Sequence, residues 1–558
     1  MPRMKINGVE RDFPSGINAL EACKMAGIYV PHFCYHPVLK VVGSCRMCKV
    51  EVVQGGRSRI EISCNLPICE GLEIWTNTQV VQKAQQMTLE FLLANHPLDC
   101  PICDDAGECE LQNYYLEYGR HDSRLREPKN RKFKAKDIGR SIMLDSERCI
   151  LCSRCVRFCA EVTKTNELGI FGMGSTERID LTPGARLNND YAGCVVDLCP
   201  VGALTDKDFR FKRRVWFLKS KNSICQGCAR GCNVRIDFDE NPFHGHKKTF
   251  QMRSHRTEAT ALQRIQRLKP RFNEAVNGYW MCDAGRYGYK ATDSADRLKH
   301  SLIRRNDELV STHLQDGVRI IASGLFDALK NGPTKAAIVV SPALTSEELF
   351  AIKVLFRDKL KLSNIDHRLP IDEEWYGDDL LRSPDPFPNR IGAEWIGLIP
   401  EAGGIDIKRL EEAVLSGKVD TLITFLVDPR ILLSVAALNK LKRRYFILRD
   451  ITEEMKPFVD AALPAAAWGE YDGLFTNFHC LTQRCEQALE PYGDARPVWK
   501  LVSDIAAALK KPLNLETHHN ALKALNEGVQ FYRGMTWDKV GSAGLMQDAV
   551  NAPVKQVG

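Results

Sequence analysis

Cysteine spacing constrains this chain more than any other feature. Of 21 cysteines in 558 residues, 18 fall within residues 1–232 and only 3 within residues 233–558. Residues 1–8 lack the apolar stretch and small-residue cleavage site of a secretory signal, which predicts a reducing cytoplasmic setting. There, closely spaced cysteines bind metal before they form disulfides. A composition of 44% hydrophobic and 26% charged residues is that of a soluble globular protein, and the length suits several domains of about 150 residues each. No run approaches the roughly 18 apolar residues of a membrane span. The net charge of +7, from 77 basic and 70 acidic residues, is too slight to argue for nucleic acid.

Between the cysteines, local patterns define small modules. Asn7-Gly8 predicts a tight turn between two short strands, a helix follows over about 18–26, and a second hairpin alternates through 49–53 and 59–63 around Gln54-Gly55-Gly56. Two hairpins on one helix predict a ferredoxin-like β-grasp unit. Residues 79–95 read as helix, and the charged stretch 118–136 as a solvated linker. Beyond residue 290 the texture is α/β. Ala336–Val340 and 421–427 read as buried strands, and Thr345-Ser346-Glu347-Glu348 opens a helix.

Four cysteine constellations carry the chemistry. The first, Cys34, Cys45, Cys48 and Cys64, combines a wide gap, a Cys-x2-Cys pair and a remote fourth thiol, as a [2Fe-2S] cluster needs. Cys69 competes for the fourth place, and Cys64 is preferred because it ends the second hairpin; zinc on Cys45 and Cys48 is the bland alternative. The second, His96, Cys100, Cys103 and Cys109, suits zinc or a [4Fe-4S] cluster on spacing alone, and in the blander reading His96 merely packs. The third, Cys149-x2-Cys152-x2-Cys155 with a distant Cys199-Pro200, is the bacterial ferredoxin run for a [4Fe-4S] cluster. Cys159 and Cys194 are read as packing residues. The fourth, Cys225, Cys228 and Cys232, is completed by Cys282 across a long insertion. Residues 243–272 of that insertion hold eight Lys or Arg and one Glu, read as a solvated excursion in preference to a docking surface for an acidic partner. Cys23, Cys69, Cys480 and Cys485 remain unassigned.

The segments Phe33-Cys34-Tyr35-His36-Pro37, Gly43-Ser44-Cys45-Arg46-Met47-Cys48, Asn95-His96-Pro97-Leu98-Asp99-Cys100-Pro101-Ile102-Cys103 and Cys199-Pro200-Val201-Gly202-Ala203-Leu204 together resemble the G subunit family of bacterial NADH-quinone oxidoreductase, the large iron-sulfur subunits of respiratory complex I. The resemblance is dense over 1–215. It implies one [2Fe-2S] cluster on Cys34, Cys45, Cys48 and Cys64, and [4Fe-4S] clusters on His96, Cys100, Cys103, Cys109 and on Cys149, Cys152, Cys155, Cys199. The remainder is similar to a shortened molybdopterin oxidoreductase module. The segment 278–288 around Cys282 resembles the last ligand segment of that module's N-terminal [4Fe-4S] cluster, and 462–477 a late stretch of it. No cysteine between 283 and 479 could ligate a molybdenum, so no molybdopterin is expected on this chain.

The expected fold is multidomain α+β and α/β: a [2Fe-2S] ferredoxin-type β-grasp over 1–78, a helical His(Cys)3 module over 79–120, a bacterial ferredoxin-like module over 140–215, a cluster module of the molybdenum-enzyme type over 218–290, and a shortened molybdopterin oxidoreductase-like α/β domain over 291–558. Gly169-x2-Gly172-x-Gly174 lacks the Gly-x-Gly-x-x-Gly spacing that cradles a dinucleotide, so NAD and FMN are expected on another subunit. The resemblance implies an electron-transfer subunit without a complete active site of its own. Its electrons would enter at the [2Fe-2S] centre, pass to the Cys149 centre and then the His96 centre, and leave to iron-sulfur subunits downstream. A flavin/NADH-binding subunit would stand upstream, and other subunits would provide the membrane arm, with the chain held peripherally on the cytoplasmic side of the inner membrane. Alternatives are a soluble NAD-linked hydrogenase or formate dehydrogenase subunit, and a zinc-knit scaffold.

Overall fold

A computed structural model describes residues 1–239, 263–330 and 332–546. The chain divides into two units, Met1–Leu218 and Lys219–Gly558.

The first unit opens with strands β1 (Arg3–Ile6) and β2 (Val9–Asp12), joined through Asn7 and Gly8 at φ of 51° and 82°. Both angles lie in the left-handed region that Asn and Gly tolerate. Helix α1 (Ala19–Met25) starts where the Asn18 side chain accepts the Glu21 N–H. The second hairpin is β3 (Lys49–Gln54) and β4 (Arg57–Ile62). A fifth strand, β5 (Glu73–Trp75), lies parallel to β1 and antiparallel to β3, giving the order β2-β1-β5-β3-β4. The sequence pattern missed β5 because three residues are too few to display alternation. Alternation elsewhere buries Met4, Ile6, Val50 and Val52 with Ile74 against Ala19, Leu20, Ala22 and Cys23 of α1. This is the expected β-grasp.

Helix α2 (Gln79–Ala94) begins at Thr78, which caps Val81 N–H, and buries Val81, Gln85, Thr88 and Leu89 at helical spacing. Gln85 and Thr88 donate to the carbonyls of Lys49 and Arg46, so this helix leans on the loop that bears Cys45 and Cys48. Helix α3 (Glu110–Tyr118) buries Leu111 and Tyr114. No regular element lies between Tyr118 and Lys136, as a linker should behave, yet Lys129 Nζ donates to the Leu93 and Ala94 carbonyls and caps the end of α2. The rest of the unit is short strands and turns around Cys149–Cys199. Leu151 and Ser153 there take φ of 55° and 60°, so the chain winds round a centre.

In the second unit, Lys219–Ile224, Asn233–Phe238 and Ile265–Pro270 form an antiparallel sheet. The expected solvated excursion is therefore corrected for its last part. Residues 265–270 pair with Asn233–Phe238, and Arg264, just before the strand, and Arg267, within it, join nearly buried ion pairs with Asp293 and Glu470 and with Asp237. Carboxylates outside the stretch neutralise a charge run that looked solvent-directed in isolation. Residues 243–262 lie outside the described residues. A seven-stranded sheet follows, in the order Glu308–Thr312, Ser301–Arg305, Ala461–Pro464, Arg443–Leu448, Thr421–Phe425, Ala336–Val340, Ile365–Asp366, with the last five parallel. Ala336–Val340 and Thr421–Phe425 are buried throughout, as parallel strands covered on both faces must be. Thr345 and Glu348 form the reciprocal cap that their spacing announces.

Candidate metal centres

At the first centre Cys34, Cys45, Cys48 and Cys64 are all buried, and Cys69 is exposed. The loop before Cys48 turns through Gly43 and Arg46 at positive φ, and Ser63, beside Cys64, donates to the Cys48 carbonyl from both its backbone and its hydroxyl. These bonds close the second hairpin onto the loop. Hydrogen bonding with Cys45 lowers the Cys34 thiol, that with Cys64 lowers Cys48, and Cys45 and Cys64 rise in turn. The four thiols are thus arranged as two neighbouring pairs, Cys34 with Cys45 and Cys48 with Cys64.

At the second centre, His96, Cys100 and Cys109 border one groove, which α2 walls with Met87 and Phe91. Cys103 lies outside that lining, against Gly202, where a Cβ would come within 2.2 Å of its sulfur. Burial, with Lys129 and Arg148 nearby, lowers His96 to about 4 and keeps it neutral, the form a metal ligand requires. Its Nδ1 is buried without a hydrogen-bond partner, an orphan that bound iron would satisfy.

At the third centre, Cys149, Cys152, Cys155 and Cys199 line one small cavity, with Leu144, Ile150, Ile179 and Val201 in its walls. Burial pushes Cys149 up to about 12 and lifts Cys155 and Cys199 further. Such thiols ionise only when a metal replaces their protons. Cys159 and Cys194 are fully buried and do not line this cavity.

At the fourth centre, Cys225, Cys228, Cys232 and Cys282 line one small cavity. The first three sit in the turn between Lys219–Ile224 and Asn233–Phe238, and Cys282 opens the short helix Asp283–Tyr287. Gly227 and Gly285 donate N–H groups at 3.4 Å to the sulfurs of Cys225 and Cys282. A Cβ at Gly285 would fall 2.7 Å from the Cys225 sulfur, so glycine keeps this cradle open. Trp375, Leu381 and Arg382 line the cavity as well. No motif signals that contribution, which comes from a loop about ninety residues downstream of Cys282.

Among the described residues, no three His, Cys, Asp or Glu side chains converge where a single ion could sit. The third and fourth sets each gather four cysteines around one cavity. One core packs Phe33, Cys34, Cys45, Met47, Leu89, Cys109, Leu111, Tyr114, Cys152, Val201 and Ala203, with Cys149 and Cys199 against it. Three constellations therefore contribute to a single buried cluster of side chains. Polar links reinforce it. The Pro200 carbonyl accepts the Glu110 N–H at 3.0 Å, Arg157 donates to the carbonyls of Cys34 and Cys152, and Arg148 pairs at 3.0 Å with Asp99, joining the loop before Cys149 to that before Cys100. Ligand spacing gives no hint of these arginines. The available signal was a charged residue placed between or beside ligands that must be buried.

Comparison with known families follows this geometry. Residues 3–79 match the 2Fe-2S iron-sulfur cluster binding domain, 85–124 the NADH-ubiquinone oxidoreductase-G iron-sulfur binding region, 139–205 the ferredoxin-like domain of NADH-quinone oxidoreductase subunit 3, and 435–508 the molybdopterin oxidoreductase family. The G subunit of NADH-quinone oxidoreductase from Rickettsia typhi is 36% identical over 358 residues, which cover 64% of this chain and 49% of that protein. The NADH-ubiquinone oxidoreductase 75 kDa subunit of Reclinomonas americana is 33% identical over 428 residues, 75% of this chain and 58% of that one. NADH dehydrogenase [ubiquinone] iron-sulfur protein 1, mitochondrial, of Solanum tuberosum is 36% identical over 361 residues, 64% and 45% respectively. A solved chain of an NAD+-reducing [NiFe]-hydrogenase is 30% identical over 38% of this chain and 91% of its own, at a TM-score of 0.34. The chain spans about half the length of the curated relatives it matches. The resemblance read from the motifs stands, as does the multidomain fold of ferredoxin-type and molybdopterin oxidoreductase-type parts.

Proposed function

We propose, from the kinship of its iron-sulfur region with the large iron-sulfur subunits of NADH-quinone oxidoreductase, that this chain is an electron-transfer subunit of such an enzyme. Its ligand sets would be Cys34, Cys45, Cys48 and Cys64 for [2Fe-2S], and His96 with Cys100, Cys103 and Cys109, Cys149 with Cys152, Cys155 and Cys199, and Cys225 with Cys228, Cys232 and Cys282 for three [4Fe-4S] clusters. Iron-sulfur clusters, when bound, supply one-electron carriers. The chain's own contribution, for the first three sets, is to gather their loops around one largely apolar core. The observation that carries this reading is the shared core, in which Cys34, Cys45, Cys109 and Cys152 pack together. Apolar side chains surround those sulfurs, the Glu110 N–H to Pro200 carbonyl bond joins two ligand loops through backbone, and the Arg157 side chain bridges the carbonyls of Cys34 and Cys152.

A hydride brings two electrons together, so a flavin/NADH-binding subunit would stand upstream to part them. Iron-sulfur subunits would lie downstream, with quinone reduction and proton translocation belonging to the whole complex, and the chain held peripherally on the cytoplasmic side of the inner membrane. No helix among the described residues is long and apolar enough to cross a membrane. Between Cys282 and Cys480 no cysteine stands to bind molybdenum, and the proposed electron path involves no molybdopterin.

The test is affinity purification of the tagged chain from its native membranes, followed by NADH-driven quinone reduction. Co-purification with a flavin subunit and membrane subunits, and inhibition by rotenone or piericidin, are expected. Recovery with a hydrogen- or formate-oxidising subunit would overturn the assignment.

A further inference from the structure

One buried side chain touches the flanks of three constellations. Arg154, between Cys152 and Cys155, is 7% exposed. Its Nη2 donates to the Tyr35 carbonyl at 2.8 Å and its Nη1 to the Leu198 carbonyl at 3.3 Å, while Nη1 lies 3.9 Å from Glu110 Oε2. Tyr35 follows Cys34, Leu198 precedes Cys199, and Glu110 follows Cys109. A single guanidinium therefore reaches the first, second and third centres at once. Neither Arg154 Nε nor Glu110 Oε2 has a hydrogen-bond partner, and 3.9 Å is too long for a hydrogen bond between Nη1 and Oε2.

Burying a cation with unused donors is costly unless negative charge nearby compensates it. The protein groups at hand do so incompletely, since two of the three contacts are neutral carbonyls. Thiolates with their clusters would supply the missing negative charge. Gaining an electron makes a cluster more negative, so a fixed cation in a low-dielectric surrounding favours the reduced form and raises the potential.

Resting on the electron-transfer reading above, we propose that Arg154 holds the reduction potentials of the centres at Cys34 and Cys149 up through its charge. Arg154→Lys keeps the charge and loses the fork, and Arg154→Met keeps length and loses the charge. The experiment is an EPR-monitored redox titration of the full chain purified anaerobically with its clusters, alongside iron analysis. In the methionine variant the reduced-to-oxidised ratio of both centres at a given potential should fall about tenfold, equivalent to about 59 mV for one electron. The lysine variant should stay near the parent.

A methionine variant with full iron and parental potentials overturns the proposal, and so does a lysine variant shifted as far as the methionine one, which would make the effect one of packing. If the methionine variant loses its clusters, Arg154→Gln, which retains a donor for the Tyr35 carbonyl, takes its place. Iron loss in both neutral variants with parental potentials in the lysine variant supports the role of the charge, and iron loss in all three overturns it. Failure of the electron-transfer reading looks different: the parent chain itself would then carry no reducible clusters.

Discussion

Cys64 and Cys69 differ by five positions and by their surroundings. Cys64 is 1% exposed beside Cys48, whereas Cys69 is exposed. Changing each separately to serine should abolish the [2Fe-2S] EPR signal for Cys64→Ser and leave it intact for Cys69→Ser. Gly202 offers a second test, because a Cβ there meets the Cys103 sulfur at 2.2 Å and Asp105 Cβ at 3.0 Å. A ligand sulfur cannot retreat without leaving its iron. Gly202→Ala should remove the signal of the His96 centre and cost about 1–3 kcal/mol in stability, the usual range for overpacking, measured by EPR and thermal unfolding. At Gly288, where a Cβ meets nothing within 4 Å, alanine should change neither. The cysteine constellations were legible because their spacing is local in the sequence. Arg148, Arg154 and Arg157 were not, because a side chain that bridges loops about 50 to 120 residues apart leaves no local period.

Among the elements, those with caps or turns of their own were readable: the Asn7-Gly8 hairpin, the helix capped by Asn18, and the Thr345–Glu348 box. Those that depend on distant partners were not, as with the three-residue β5 and the strand Ile265–Pro270, whose neighbouring arginines find carboxylates elsewhere in the fold. The box at 345–348 predicts a pH effect. Burial, only partly offset by the N–H groups of Thr345 and Val498, raises the Glu348 carboxyl from its ordinary 4.5 to about 7. The folded chain then keeps a proton that the unfolded chain has lost, so this group's contribution is complete below about pH 4.5 and drains away as pH rises through 7. The effect is of the order of a few kcal/mol. In Glu348→Gln the thermal midpoint should depend less on pH between 4.5 and 7 than in the parent, whatever the offset between them at pH 4.5. Lys129 gives a simpler case. Lys129→Ala uncaps α2 and should lower stability by about 1 kcal/mol, in the range of helix-terminal interactions, as read by chemical denaturation.

At the scale of the whole molecule, the lopsided cysteine distribution corresponds to two kinds of architecture. The unit Met1–Leu218 has small modules whose ligand loops share one core, and the unit Lys219–Gly558 joins a cysteine-lined cavity to a parallel α/β sheet with extensive cores. Small modules have little room for large independent cores, and metal sites, once filled, hold loops that such cores would otherwise hold. All of this turns on the four constellations binding iron-sulfur clusters rather than zinc. The decisive measurement is iron and zinc analysis with EPR on the full chain, purified without oxygen. One [2Fe-2S] and three [4Fe-4S] clusters require about 14 iron atoms per chain, with EPR signals that appear on reduction; a colourless chain holding zinc and little iron would contradict this assignment.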